Sequence, residues 1–355
     1  MPNLGNEQLR NVVLLSHSGA GKTMLSETML YTAGGTNRLG TTADGTTISD
    51  YEPEEQKRTA SVQLSLIPCS WKDHKINVID TPGYADFRGE AVSGTRVADS
   101  AIIVVSAPSG VEVGTHQMWK MADERALPRA LVVNKMDREN VDFQRVLESI
   151  QENFGRGCVA VQIPIGAEAD FSGSINLLSE QQDVPADLQE QVDTARQQLT
   201  EAIAETDDDL ATKYLEGHIL SHEEMTTGLK AGVASGAIVP VMVSSATTNV
   251  GAAEVLDVIV DLLPSPTETS SIKATRPDSG EEINLSSKPD EPIAALVFKT
   301  TADPFVGKLS YLRVYSGVFE SDSQSWNATK AEAERVGQVF TIMGKAQEPI
   351  SHLVP

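Results

Sequence analysis

The chain has 355 residues, of which 40% are hydrophobic and 22% charged, and its formal net charge is −22. This acidic balance excludes indiscriminate binding to nucleic acid, which needs basic surface to displace counterions, although it leaves room for a local basic patch that contacts RNA. The longest apolar run, AIIVV at 101–105, is too short to span a bilayer, and the N-terminus lacks the apolar core of a signal peptide. We therefore expect a soluble, cytoplasmic protein with two domains.

Short β-branched runs alternate with helical patterns through the first 264 residues. The runs lie at 11–16, 76–80, 101–107, 130–135, 159–165 and 238–245, and helices are expected after Gly21, Phe87, Gly114, Val141 and Gly251. Continuous apolar runs are typical of strands that are buried on both faces, as in a parallel sheet covered by helices. The pattern predicts a doubly wound α/β domain over residues 1–264.

A helical insertion is expected at about 168–236, between the last two of these strands. One stripe at helical spacing is formed by Leu188, Val192, Ala195, Leu199 and Ile203. The sequence SHEE at 221–224 resembles a capping box that opens another helix. The acidic run at 205–209 is interpreted as a solvated helix end, because nothing near it supplies a matching set of metal ligands.

The last part of the chain has a different composition. Residues 265–290 are polar and predict a linker, and residues 291–355 contain short runs typical of strands in an antiparallel β domain. Such a segment is short for a closed barrel. We therefore expect a partial, truncated β-barrel and a chain that is a fragment of a longer protein.

The two cysteines, Cys69 and Cys158, lie in or beside apolar runs. In a cytosolic protein such residues are usually reduced and buried. We expect two free thiols and no disulfide.

The first motif is SHSGAGKT at 16–23, between a predicted strand and a predicted helix, which is the setting of a phosphate-binding loop. Its glycines let backbone N–H groups turn toward phosphate oxygens. Lys22 would reach the β- and γ-phosphates, and the Thr23 hydroxyl would ligate Mg2+. The nucleotide-binding residues predicted in this loop are Ser18, Gly19, Ala20, Gly21, Lys22 and Thr23.

The second motif is DTPG at 80–83, where a predicted strand ends. The carboxylate of Asp80 would hold Mg2+ through water, and Gly83 would offer its backbone N–H to the γ-phosphate. Taken alone, this motif is equally consistent with an ordinary turn at a strand end.

Two further motifs follow strands and predict recognition of a base. In NKMD at 134–137, the Asp137 carboxylate can accept both the N1–H and the N2–H2 of guanine, a pairing that adenine cannot offer. Asn134 would contact the base edge, and the stem of Lys135 would pack over its face. In SSA at 244–246, Ser245 and Ala246 would bring a backbone N–H to guanine O6. Four such motifs in this order predict a guanine-nucleotide site.

Longer stretches resemble one known family. VVNKMDREN, IPIGAEADFSGSINLL, LLPSPTE and VFKTTADPFVGKLSYLRVYSGV are similar to elongation factor G, and the likeness covers essentially the whole chain. The resemblance implies a translational GTPase with GTP and Mg2+ as ligands, acting as a monomer on ribosomal RNA and proteins. It also implies further domains that this chain lacks, so the chain alone should not drive translocation.

The residues around the expected γ-phosphate depart from that family. The family usually has a hydrophobic residue and then an aspartate where Ser18 and Gly19 stand, and its first switch reads arginine–glycine–isoleucine–threonine where this chain has RTAS at 58–61. Ser61 would supply the Mg2+ hydroxyl, with Thr59 as an alternative. This pattern is closer to the elongation-factor-G-like paralogues called type 2 than to the housekeeping factor.

Tyr84 stands where the family has the histidine that positions the attacking water. The family gates that histidine with two hydrophobic residues, and the matching positions are Ser18 and Ala60. Two interpretations of Tyr84 remain open: its hydroxyl orients the water, or its ring packs at the sheet edge or points to solvent. With Gly83, it forms the predicted catalytic pair.

Three functional hypotheses follow. The first is a GTPase that turns over slowly, and the second is a GTP-loaded regulator on the ribosome with negligible turnover. A P-loop phosphotransferase with a small acceptor is the third, and NKMD opposes it. In the β domain, Lys299 and Arg313 are candidates for contact with ribosomal RNA.

Overall fold

The apolar runs of the sequence form one seven-stranded sheet in the computed structural model, which describes residues 5–179, 182–269, 272–303 and 307–355. In chain order, the strands of the α/β part are β1 (Leu9–Ser16), β2 (Ser65–Trp71), β3 (His74–Asp80), β4 (Ser100–Ser106), β5 (Arg129–Asn134), β6 (Cys158–Ala160), β7 (Gln162–Ile165), β8 (Gly173–Asn176) and β9 (Val239–Val243). Their order in the sheet is β2-β3-β1-β4-β5-β9-β6, and β7 and β8 form a separate hairpin. The predicted α/β fold is confirmed.

The sheet is mixed rather than wholly parallel. β2 pairs antiparallel with β3, whereas β1, β3, β4, β5, β9 and β6 pair in parallel. Only Lys72 and Asp73 separate β2 from β3, and both have positive φ, so the chain reverses in a hairpin and the two strands must be antiparallel. The sequence pattern missed β2 because this edge strand alternates in burial and contains Pro68.

The run at 159–165 was predicted as one strand and is two. β6 ends at Ala160 within the central sheet, and β7 starts at Gln162 and pairs with β8 outside it. The apolar pattern continues through the break because Val161 and Ile163 are both buried.

Helices cover both faces of the sheet and form the insertion. They are α1 (Lys22–Thr32), α2 (Pro53–Arg58), α3 (Arg88–Thr95), α4 (Val113–Asp123), α5 (Phe143–Phe154), α6 (Gln189–Ala204), α7 (Asp208–Leu215), α8 (His222–Ser235) and α9 (Ala252–Leu262). The predicted stripe of α6 is buried from Val192 to Ile203. The predicted capping box is present, since Ser221 Oγ accepts a hydrogen bond from the Glu224 N–H and Glu224 Oε2 accepts one from the Ser221 N–H.

The remaining strands form antiparallel pairs. They are β10 (Ile272–Thr275), β11 (Glu282–Leu285), β12 (Ala294–Asp303), β13 (Gly307–Ser316), β14 (Phe319–Glu320), β15 (Gln324–Asn327), β16 (Glu332–Arg335), β17 (Val339–Met343), β18 (Ala346–Ile350) and β19 (His352–Leu353). β10 and β11 make a hairpin inside the predicted linker, where the sequence indicated loop. Residues 180–181 of the predicted insertion, 270–271 of the linker and 304–306 of the β domain lie outside the described residues.

Two cations of the β domain point into the α/β part. Lys299 of β12 forms an ion pair with Glu90 of α3 at 3.1 Å, and Arg313 of β13 forms one with Asp99 at 2.6 Å. Their side chains are only 7% and 13% exposed. The sequence left their direction open, with contact to RNA as one candidate role. The structure instead packs both side chains against the α/β part.

Within the described ranges, no helix has the length and apolar character needed to cross a membrane.

The buried cysteines give a direct test of the fold. Burial raises the pKa of both thiols, Cys69 and Cys158, to about 12. We expect both to react with iodoacetamide at pH 8 slower than an exposed thiol by a factor on the order of 10³, since the thiolate is the reactive form. Mass spectrometry should show no label on the native chain and two labels in urea. Rapid labelling of native protein would contradict the packing of β2 or β6.

Candidate nucleotide-binding site

The loop between β1 and α1 surrounds a buried cation. Lys22, the first residue of α1, is 6% exposed, and its Nζ donates to Ser16 Oγ at 2.7 Å. Burial lowers the pKa of Lys22 to about 8, and the charges of Asp80 and Asp50 oppose that shift. Because the Lys22 ammonium group has lost most of its hydration, a phosphate at this position would compensate its charge.

Gly21 and Gly83 let three segments approach one another closely: the phosphate-binding loop, the end of β5 and the DTPG segment. Gly21 has φ 97°, and a Cβ there would lie 2.5 Å from Asn134 Nδ2. A Cβ at Gly83 would lie 2.7 Å from Lys22 Nζ and 2.9 Å from Ser18 Cα. The DTPG segment therefore lies directly against the phosphate-binding loop, as a contact between Gly83 and a terminal phosphate requires.

A cluster of oxygen atoms lies beside Lys22. Both carboxylate oxygens of Asp80 are buried, and no donor among the described residues meets full hydrogen-bond geometry with them. Burial raises the pKa of Asp80 to about 6. The hydroxyls of Thr23 and Ser49 nevertheless lie close enough to lower the pKa of Asp80, as the charge of Lys22 does. Thr23 Oγ1 lies 3.0 Å from Ser61 Oγ. An unpartnered carboxylate with two hydroxyls is an oxygen-only donor set of the kind that suits Mg2+.

Asp50 belongs to this cluster and was missed by the sequence analysis. Ser61 Oγ donates to Asp50 Oδ1 at 2.7 Å, and burial together with the charge of Asp80 raises the pKa of Asp50 to about 6. No motif marks Asp50 in the sequence, because its position depends on how residues 40–64 fold. Thr59 is exposed and its hydroxyl donates to the Arg58 carbonyl, so Ser61 is the residue that contacts Thr23.

Asn134, predicted to contact the base, lies at the end of β5 and joins two loops of the site. Its Oδ1 accepts the Ala246 N–H at 3.0 Å, and its Nδ2 donates to the Ala20 carbonyl at 3.0 Å. The first contact reaches the loop after β9, and the second reaches the phosphate-binding loop. The sequence analysis predicted that Asn134 contacts the base edge, but it did not predict that Asn134 joins these two loops.

The other predicted base-binding residues lie close to Asn134. Ser245 Oγ donates to Asp137 Oδ1 at 2.7 Å, which fixes the carboxylate that is predicted to select guanine. Lys135 Nζ donates to the Gly19 carbonyl at 2.6 Å, so its stem extends toward the phosphate-binding loop. The structure therefore brings the NKMD and SSA motifs together. The N–H groups of Ser245 and Ala246 donate to the Val250 carbonyl and to Asn134 Oδ1, and the contact with guanine O6 stays a prediction.

The two halves of the site are separated by a distance that the sheet sets. Asp80 ends β3 and Asn134 ends β5, with β1 and β4 between them. Three strand spacings amount to about 14 Å. This separation suits a nucleoside triphosphate whose phosphates lie at β1–β3 and whose base lies at β5–β9.

Comparison with known proteins agrees with this geometry. The family described as elongation factor Tu GTP binding domain matches residues 7–265. The chain belongs to this family. Residues 292–355 match elongation factor G domain 2, so the resemblance to elongation factor G is confirmed in the order of the two domains.

A solved structure of a Thermus thermophilus protein is similar along nearly the whole chain. The sequences are 32% identical and the TM-score is 0.84. The match covers 99% of this chain and 51% of the Thermus chain. The elongation-factor-like chain described here therefore spans about half the length of that protein.

Tyr84 lies at the mouth of this elongation-factor site and is 50% exposed. It precedes a short 3-10 turn at Ala85–Phe87, and its phenol forms no hydrogen bond with any residue that the structure describes. Its neighbour Gly83 lies against Lys22, so the backbone of Tyr84 is placed beside the phosphate-binding loop while its ring is not held by a partner among the described residues.

The buried carboxylate of Asp80 leads to the prediction that its replacement stabilises the free protein. Asp80→Asn removes a charge that the folded state disfavours, so we expect the free energy of unfolding without Mg2+ at pH 8 to rise by about 1–3 kcal/mol. Urea denaturation measures this change. With GTP and Mg2+ added, the variant should gain less stability than the parent, because it has lost a ligand of the cation.

Asp99→Asn is the matched control, because this buried carboxylate has partners in Arg313 and Asn11. Its loss should lower stability. A lower stability of Asp80→Asn without Mg2+ would contradict the proposed cation site.

Proposed function

We propose that the chain binds GTP together with Mg2+ and hydrolyses it slowly to GDP. The observation that supports this most is the buried, unpartnered carboxylate of Asp80 beside the hydroxyls of Thr23 and Ser61, with Gly83 packed against Lys22 in the described part of the chain. Such a group is costly unless positive charge compensates it, and Lys22 does so only in part, because the pKa of Asp80 is still raised by burial to about 6.

The roles follow the two halves of the site. Lys22 pairs with the β- and γ-phosphates, and the loop residues Ser18, Gly19, Ala20 and Gly21 direct backbone N–H groups to them. Asp137 selects guanine, with Asn134, Lys135, Ser245 and Ala246 as the other residues around the base. Thr23, Ser61 and Asp80 would hold Mg2+, which when bound neutralises charge on the phosphates.

Slow hydrolysis follows from the residue at position 84. A phenol hydroxyl is a far weaker base than an imidazole, so Tyr84 acts at most by orienting water through its hydroxyl. Loss of a well-placed catalytic group commonly costs about 10²–10⁴ in rate. Binding of GTP in the ground state does not depend on that group. The alternative function is a GTP-loaded regulator with negligible turnover.

In its full-length form, we propose, the protein acts as a monomer on the ribosome in the cytoplasm. The match of residues 292–355 to elongation factor G domain 2 supports this partner. We also propose that residues 1–264 form the GTPase domain, with an insertion at about 168–236. Residues 291–355 then form part of a β-barrel domain.

Hydrolysis by Tyr84 variants tests the proposed rate. We expect the parent to convert bound GTP to GDP over hours and Tyr84→His to do so at least about tenfold faster, because an imidazole can position water where the phenol does not. The measurement is a single-turnover time course with Mg2+, resolved by chromatography of the nucleotides.

Tyr84→Phe is the matched control, since it removes only the hydroxyl. A rate equal to that of the parent shows that the hydroxyl does not orient water, and a lower rate shows that it does. The proposal fails if the parent turns over as fast as Tyr84→His.

A further inference from the structure

The β domain inserts one lysine into the α/β part at the end of the segment 48–64. Lys299 Nζ donates to the Leu64 carbonyl at 2.9 Å, to Gln63 Oε1 at 3.1 Å and to Glu90 Oε2 at 3.1 Å. Its side chain is almost fully buried, whereas that of Glu90 is 29% exposed. A buried ammonium with three acceptors fixes those acceptors in place.

Glu90 forms a second hydrogen bond with the backbone of Leu64. Glu90 Oε2 accepts the Leu64 N–H at 2.7 Å while it also pairs with Lys299. Both backbone polar groups of Leu64 are therefore held by this ion pair, one side of which belongs to α3 and the other to β12. Leu64 lies three residues beyond Ser61, which contacts Thr23 and Asp50.

The start of the same segment also contacts the β domain. The turn between β17 and β18 packs so closely on Ile48 that a Cβ at Gly344 would clash with it. The Gly344 N–H also donates to the carbonyl of Leu66, just beyond the end of the segment, at 2.9 Å. Tyr51 shares a hydrogen bond with Tyr311 of β13. Both ends of the segment that carries Asp50 and Ser61 thus rest on the β domain.

We propose that Lys299 is a positioning residue: by fixing Leu64 it holds Ser61 and Asp50 beside Thr23 and Asp80, so this one contact of the β domain, rather than its docking as a whole, sets the affinity for Mg2+-bound GTP. This inference rests on the proposed function. If only a fraction of the molecules have the site assembled, the apparent Kd equals the intrinsic Kd divided by that fraction. The residues that are predicted to contact the base lie outside this segment.

Arg313 provides a matched control in the same interface. It is also buried, and it donates to Asp99 Oδ1 at 2.6 Å and to the Val97 carbonyl at 2.9 Å. These acceptors lie between α3 and β4, away from the segment 48–64. Loss of Arg313 weakens the docking of the β domain without removing a contact to Leu64.

The experiment compares Lys299→Met with Arg313→Met in the 355-residue chain. The Kd values for GTP and GDP are measured by displacement of a fluorescent GTP analogue, once with Mg2+ and once with EDTA. Lys299→Met should raise the Kd for GTP in Mg2+ on the order of tenfold and leave the value in EDTA unchanged. Arg313→Met should change both by less than about twofold.

Hydrogen–deuterium exchange of residues 48–66 gives a second readout that needs no nucleotide. Exchange should be faster in Lys299→Met and near the parent rate in Arg313→Met. If the parent binds no GTP, the proposed function fails, and exchange alone decides the role of Lys299.

Two results overturn the inference: an unchanged exchange rate in Lys299→Met, or equal effects of both substitutions. If Lys299→Met does not fold, Glu90→Gln replaces it, because the amide oxygen still accepts the Leu64 N–H but the charge opposite Lys299 is lost. The same pattern with a smaller change is expected, and no change overturns the inference.

Discussion

The site depends on the side-chain amide of Asn134 at the end of β5. This buried amide accepts hydrogen bonds from the Ala246 N–H and the Ser244 hydroxyl, and it donates to the Ala20 carbonyl. The phosphate-binding loop and the loop after β9 are thereby fixed to one strand end, and only a glycine at position 21 leaves space for the contact. Loss of such a buried group leaves its partners unsatisfied, so the arrangement of both halves of the site rests on it.

The part of the site near the phosphate-binding loop contains ionisable groups that become buried when the chain folds. Burial moves the pKa of Lys22 down to about 8 and those of Asp50 and Asp80 up to about 6. The folded chain thus keeps buried ionisable groups whose charges a bound nucleotide and its cation would compensate. Such groups lower the stability of the free protein, which is typical of functional sites. The segment carrying Asp50 rests in turn on the β domain, through Lys299 and the turn at Gly344.

The sequence predicted those parts of the molecule that local pattern encodes. Parallel strands end at one edge, and motifs that follow them must meet there, which is why Lys22, Asp80 and Asn134 could be placed together from their spacing alone. Asp50 could not, because a loop without periodicity carries no signal for where its side chains point. The direction of Lys299 was left open for a related reason: a lysine in a strand indicates solvent or RNA until the neighbouring domain is placed. The nucleotide contacts assigned to these residues stay predictions.

The central claim is that this sheet edge selects a guanine nucleotide, and competition between GTP and ATP tests it most directly. A fluorescent GTP analogue bound to the chain with Mg2+ is displaced by either unlabelled nucleotide. Because Asp137 is proposed to accept two hydrogen bonds that adenine does not offer, GTP should displace the analogue at a concentration at least about 100-fold lower than ATP. Equal displacement by ATP would contradict the guanine site and with it the account of Asn134, Asp137 and Ala246.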